Sequence, residues 1–204
     1  MSCLTQVQAR RLHRPGVAGL YDPSAMGSQR PTLSVRAAVA ADAPACAAIY
    51  APYVADTAIT FESQAPSAAE MQQRIEAASR SHAWFVLQDG GRVVGYAYGG
   101  PFNRRAAYRW SCEVSVYVEL GRRRTGAGRA LYQELLSRLG ERGFRMAAAG
   151  MTLPNDASVA LHRAMGFQTV GVYRRIGYKH GVWHDVAWMQ RSLGGPEDPP
   201  AEPR

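Results

Sequence analysis

The sequence predicts an α/β protein with a mixed, mostly antiparallel central sheet flanked by helices. Two observations carry this expectation. Runs rich in β-branched and aromatic residues alternate with runs of helical period, in the order strand, helix, helix, strand, strand, strand, helix, strand, helix, strand, strand. One strand, ending Val116-Tyr117-Val118, passes through a basic, glycine-containing turn into a helix opening near Ala130, with Leu131, Leu135 and Leu136 apolar.

The elements follow in order. Leu33-Ser34-Val35-Arg36 reads as a short strand. Asp42 is placed to cap a helix that has Pro44 in its first turn and runs to about Val54, because aspartate accepts first-turn amides and proline lacks a donor there. Ser67-Ala68-Ala69-Glu70 has capping-box form and starts a second helix, with Met71 and Ile75 on its apolar side. Trp84–Leu87 and Val93–Tyr98 flank Asp89-Gly90-Gly91 and read as a hairpin. A loop from Gly99 to Ala107 leads into a strand over Arg109–Val118. A helix over 127–141 and a strand near 145–151 follow, and Asn155 caps a helix that reaches Met165. Strands near 167–177 and 183–192, joined through Lys179-His180-Gly181, complete the order.

These elements make one domain over residues 32–193, with no internal repeat. Residues 1–31 mix arginine with proline and glycine and lack an apolar h-region, so the expectation is a disordered extension, or a reading frame whose true start is Met26. Residues 194–204, rich in proline, glycine and acidic residues, are expected to be a loose tail.

Composition narrows the partners. No apolar run approaches the ~20 residues of a membrane helix, so a soluble protein is expected. The net charge of +8 is carried almost wholly by arginine, since Lys179 is the only lysine. Such a balance suits nucleic acid or an anionic small molecule. Much of it sits in the tails or around residues 122–129, and no known nucleic-acid motif appears, which favours an anionic cofactor. Cys3, Cys46 and Cys112 are odd in number and lack metal or CxxC spacing, which fits a reduced, cytoplasmic setting. His180, His184 and Asp185 are too few and too poorly spaced for a metal site, and none is expected.

The turn before the third helix carries the chemistry. Gly126 and Gly128 have no Cβ, and the first amides of a helix lack partners and face an anion with the positive end of the dipole. The spacing is neither a P-loop nor a dinucleotide fingerprint. It fits Gln/Arg-x-x-Gly-x-Gly/Ala from Arg123 to Gly128, which resembles the acetyl-coenzyme A pyrophosphate loop of the GNAT N-acetyltransferase superfamily. Leu153–Phe167, Gly177–Val186, Tyr98–Phe102, Ala107–Trp110 and Phe61-Glu62-Ser63 resemble, in the same order, segments of the phosphinothricin N-acetyltransferases. The resemblance covers about residues 33–192. It implies the GNAT fold, acetyl-CoA as cosubstrate, a homodimer, and as acceptor the α-amine of a glutamate-like amino acid: phosphinothricin, methionine sulfoximine or methionine sulfone. Another small amine as acceptor, or a non-catalytic CoA-binding or nucleic-acid-binding regulator, are the competing readings.

The resemblance also assigns site residues. Backbone groups of Val116, Tyr117 and Val118 would pair with the pantetheine arm. Arg123, Arg124, Thr125, Gly126, Ala127, Gly128 and Arg129 would hold the pyrophosphate, with Asn155 and Ser158 beside the arm. Asn155 also reads as a plain helix cap. Glu113 lies inside a strand, where a carboxylate is costly unless it is paired or functional. The resemblance makes it the base that takes the amine proton, and a salt bridge to a nearby arginine is the bland alternative. Glu62 is a second acidic candidate. His162 or a tyrosine would serve the leaving thiolate: Tyr108 matches a family position, and Tyr132 reads first as packing. No Ser/His/Asp or Cys/His arrangement is visible, so direct transfer is expected rather than an acyl-enzyme. Phe61, Glu62, Arg105, Arg109, Val114, Ser115 and His180 are the expected acceptor contacts.

Overall fold

The computed structural model describes residues 33–122, 125–195 and 201–204. The expected extension over residues 1–31 and the loop residues Arg123 and Arg124 lie outside the described residues.

Among the described residues seven strands form one sheet, in the order β1-β2-β3-β4-β5-β7-β6. They are β1 (Leu33–Ala37), β2 (Ala83–Asp89), β3 (Arg92–Pro101), β4 (Ser111–Val118), β5 (Met146–Thr152), β6 (Gln168–Lys179) and β7 (Val182–Ser192). The helices are α1 (Ala43–Asp56), α2 (Ala68–Ser81), α3 (Ala127–Glu141) and α4 (Asp156–Ala164). Every neighbouring pair is antiparallel except β4 and β5, as expected of a mixed sheet whose hairpins are sequential. Two cores lie on opposite faces. α1 and α2 cover Trp84, Val86, Val93 and Tyr96, while α3 covers Phe85, Leu87, Val94, Ala97 and Val114. β2 is buried on both faces, which is why Ala83–Leu87 is a continuous apolar run and does not alternate.

Local signals are realised where they close within a few residues. Ser67 Oγ accepts the Glu70 N–H at 3.2 Å, and the Glu70 carboxylate accepts the Ser67 N–H at 2.7 Å, completing the capping box. Asp42 behaves differently from the expectation. A short 3-10 turn, Ala40–Asp42, precedes α1 and leaves Asp42 in helical conformation (φ −81°, ψ −12°). A cap needs an extended backbone to aim its oxygen forward; the Asp42 carboxylate instead accepts the Val39 N–H (2.9 Å) and both arms of the Arg36 guanidinium (2.7 Å each). The Arg36 hydrogen bonds hold the Asp42 carboxyl below its ordinary pKa.

β4 also starts later than Arg109. A second 3-10 turn, Ala106–Tyr108, runs into Arg109 in αR conformation, and the strand begins at Ser111. The Arg109 guanidinium lies 3.7 Å over the Trp110 ring and pairs with Glu202, which favours the turn over extension. Trp110 Nε1 donates to the Ala201 carbonyl (2.9 Å) and the Arg204 N–H donates to Arg142 O (2.8 Å). The last four residues of the expected loose tail are thus held against the domain.

Two features of the sheet position the site. β4 and β5 are paired only over Ser111–Glu113 with Met146–Ala148. Beyond that point β4 follows β3 as far as Val118 and β5 follows β7 as far as Thr152, so a wedge opens between them. At the far edge, β6 is paired with β7 alone and carries a register shift between Tyr173 and Gly177. Arg175 sits there at φ +50° with its N–H donated to the Asp185 carboxylate (2.8 Å), as in a bulge that bends the hairpin. No helix among the described residues is long and apolar enough to cross a membrane.

Candidate active site

The wedge is lined by Val114, Ser115, Val116 and Tyr117 of β4, Gly150 and Met151 of β5, Asn155, Ser158 and His162 of α4, Tyr132 of α3 and Ile59 of the α1–α2 loop. Alternation along β4 sorts its side chains between two faces. Val114 is buried in the α3 core, so only its backbone can face a ligand. Glu113, Ser115 and Tyr117 share the opposite face, where Tyr117 stacks among Tyr50, Tyr53 and Tyr96.

Glu113 stands across from Gly100 on β3, whose missing side chain leaves open space beside it. Among the described residues no cation pairs with Glu113, so the bland salt-bridge reading finds no partner there. Burial without that compensation raises its pKa. Glu62 is the opposite case. Its carboxylate accepts a bidentate pair from Arg74 (2.7 and 2.9 Å) and the Tyr50 hydroxyl (3.0 Å), and the Arg74 contact lowers its pKa. Glu62 is therefore committed to holding its loop and is a poor base.

His162 is buried at the back of the wedge. Its Nδ1 lies 2.8 Å from the Ser158 carbonyl, which can only accept, so the ring proton sits on Nδ1. Nε2 then presents a lone pair and accepts the Tyr132 hydroxyl at 3.0 Å. Burial lowers the His162 pKa and pushes that of the fully buried Tyr132 up. Tyr132, read first as packing, is thus tied to His162 across thirty residues of chain, a pairing without a local sequence signature. Tyr117 was legible, since it lies two and four residues beyond Ser115 and Glu113 on one strand face.

The start of α3 has the expected form. Gly126 occupies the left-handed region (φ +78°) with no side-chain cap, leaving the amides of Ala127, Gly128 and Arg129 to an external acceptor. Gly128 plays a second part: a Cβ there would lie 2.9 Å from Leu161 Cδ2, so its absence lets α3 and α4 approach. Arg122 is held by Glu119 (3.0 Å) and Asp89 (2.7 Å), which leaves Thr125 and Arg129 exposed at the turn. Asn155 Oδ1 accepts the Ser158 N–H (3.2 Å), confirming the cap and leaving its amide donors for a ligand. The Val118 carbonyl already accepts the Tyr53 hydroxyl at 2.6 Å.

The remaining expected contacts divide. Phe61 packs over Gly177 on β6, and His180 Nε2 donates to the Thr57 carbonyl (3.3 Å), so both border the same loop as Ile59. Tyr108 and Arg105 are exposed and lie outside the wedge lining, Tyr108 stacking edge-on against Phe102. Arg109 is engaged by Glu202 through three contacts of 2.8–3.1 Å. Among the described residues no cluster of three or more metal-ligating side chains occurs.

Comparison with known proteins agrees with this geometry. Residues 35–188 match the acetyltransferase (GNAT) domain family. The phosphinothricin N-acetyltransferase of Streptomyces viridochromogenes is 37% identical over 174 residues, covering 85% of this chain and 95% of that protein. An L-methionine sulfoximine/L-methionine sulfone acetyltransferase of Pseudomonas paraeruginosa is 34% identical, covering 78% of this chain and 94% of that protein. The crystal structure of a GNAT superfamily phosphinothricin acetyltransferase from Sinorhizobium meliloti, in complex with acetyl-CoA, superposes with a TM-score of 0.80 at 40% identity, covering 84% of this chain and 94% of that one. A sheet split between β4 and β5, an uncapped glycine turn opening α3 and a match over most of the domain lead to one conclusion: the chain belongs to the GNAT family of acetyl-CoA-dependent N-acetyltransferases.

Proposed function

We propose that this enzyme acetylates the α-amine of a small, glutamate-like amino acid, with phosphinothricin, methionine sulfoximine and methionine sulfone as candidate acceptors. The observation that carries the reading is Glu113, a half-buried carboxylate with a raised pKa, no ionic partner among the described residues and open space beside it. The activities of the two relatives above support the acceptor class.

The residues present fit the cosubstrate. The amides at the start of α3 suit a pyrophosphate, and the β4 backbone from Val114 to Tyr117, unpaired on its β5 side, suits the pantetheine amides. Acetyl-CoA supplies an activated acetyl thioester. The chain's own part is to bring the amine to the face of β4 that carries Glu113, Ser115 and Tyr117, and to take its proton at the Glu113 carboxylate. On the other face, Tyr132 has one hydroxyl proton, which His162 Nε2 holds; turned from Nε2 toward the thioester sulfur, that proton would serve the charge that develops there. Purified enzyme given acetyl-CoA should release free thiol with methionine sulfoximine or phosphinothricin. The kcat/KM should exceed that for spermidine or an aminoglycoside by at least about tenfold. Equal or better turnover of the cationic amines would overturn the acceptor class.

We also infer a homodimer. Val170, Val172, Tyr173, Ile176 and Tyr178 of β6 are 45–61% exposed along an edge strand, apolar exposure of the kind that marks an interface. Sedimentation velocity should give twice the chain mass, and Tyr173→Glu should shift it toward monomer. A monomeric wild-type enzyme would rule this out.

A further inference from the structure

Lys179 is the only lysine among 24 lysine and arginine residues, and it occupies a place an arginine would serve poorly. Its Nζ donates to two converging carbonyls, Val54 O in the last turn of α1 (2.7 Å) and Thr60 O in the loop that follows (2.8 Å). A compact ammonium with three rotatable donors suits two acceptors that meet at one point, whereas a planar guanidinium fork suits a parallel pair. The Val54 carbonyl is one of those a helix end leaves without an intrahelical partner.

The contact belongs to a larger clasp. His180, next in sequence and at φ +52°, reaches Thr57 O. Gly177, two residues earlier, lies under Phe61, where a Cβ would collide with the Phe61 ring. From the other side Tyr50 holds Thr60 (2.6 Å) and Arg74 holds Glu62. The loop over residues 57–62 is therefore fixed between α1–α2 and the tip of the β6–β7 hairpin. The bulge at Arg175 bends the hairpin that carries this tip.

We propose that Lys179 is a positioning residue for the acceptor: it staples the hairpin tip to the 57–62 loop and so fixes Ile59 and Phe61 at the mouth of the wedge, without touching the acceptor itself. This rests on the reading of that loop as a wall of the acceptor site. Among the described residues no hydrogen bond or ion pair joins the turn at the start of α3 to the staple, so the two halves of the site respond differently to its loss.

Lys179→Met keeps the stem and removes the donors. Steady-state kinetics with methionine sulfoximine should show an acceptor KM raised by about tenfold or more, since small displacements of positioning groups are amplified in rate and binding. The acetyl-CoA KM should stay within about twofold by the same reasoning. Lys179→Arg should remain impaired, and hydrogen exchange at residues 57–62 should quicken in the methionine variant while that of α3 is unchanged. A folded Lys179→Met enzyme with wild-type acceptor KM overturns the proposal, and so does a parallel rise of both KM values. If the wild-type enzyme acetylates no amino acid, the acceptor reading fails. Exchange then tests the staple alone: unchanged exchange at 57–62 in the methionine variant overturns it.

Discussion

Glu113→Gln should lower kcat by about 10²–10⁴-fold, the usual loss on removing a general base, while the protein becomes no less stable at neutral pH. Both halves follow from one fact: burial raises the Glu113 pKa without a cation to offset it. The carboxylate works as a base only when ionised, so the acid limb of wild-type kcat/KM should lie above the ordinary carboxylate range. In the glutamine variant that limb should vanish. The remaining rate should climb with pH as the amine itself loses its proton, narrowing the deficit. The stability sign is opposite to that of a paired acid. A raised folded-state pKa contributes stability below the unfolded pKa and loses it as pH rises through the folded one. At pH 7 the charged Glu113 therefore costs stability, and the isosteric amide should hold or raise the melting temperature. Near-wild-type kcat in the folded variant would exclude the base role, and a lower melting temperature at pH 7 would point to an ion pair.

Tyr132→Phe should cost about 10²-fold in kcat, the scale of one lost donor to developing charge, with little change in the KM of either substrate. The tautomer set by Ser158 decides which member of the pair matters most. Neutral His162 with its proton on Nδ1 has only a lone pair to show Tyr132, so its work is to hold the hydroxyl proton until the leaving sulfur takes it. His162→Gln can keep an acceptor at that position and should retain kcat within about tenfold of wild type. The double variant should be no slower than about twice the effect of Tyr132→Phe alone, because residues acting as a unit are not additive. A His162→Gln loss of 10²-fold or more beside an active Tyr132→Phe enzyme would reverse the assignment and make His162 the group that serves the sulfur.

The sequence was readable wherever a few adjacent residues settle the geometry. The Ser67–Glu70 box, the Asp89-Gly90-Gly91 turn, Gly126 before α3 and the Asn155 cap all close within four residues, and each stands where it was expected. Where the fold departs from the expectation or adds to it, the cause is a partner brought from elsewhere. Asp42 had a cap to make and an Arg36 to bind, and the bidentate pair prevailed. Glu62 meets Arg74 twelve residues on, Tyr132 meets His162 thirty residues on, and Arg109 meets Glu202 after ninety-three. No period in a sequence encodes such meetings; packing of the finished sheet does. The candidate site was accordingly legible as a set of residue types on a strand, a turn and a helix, with Glu113 already ahead of Glu62 as the base; the fold adds the Arg74 partner that occupies Glu62.

The three-residue seam between β4 and β5 puts the proposed site at the shortest joint of the sheet. Continuing the ladder past Glu113 would add backbone hydrogen bonds and knit both halves into one slab, and would close the space where the substrates meet. Stability and activity are therefore in direct opposition here. Helix caps, the outer hairpins and the exposed β6 face can be strengthened without touching chemistry, but thermostabilising changes that favour pairing at Val114–Tyr117 or Ala149–Thr152 would be selected against. On the proposed site, the sheet is left unfinished where the substrates would meet, and the missing rungs are the room the reaction needs.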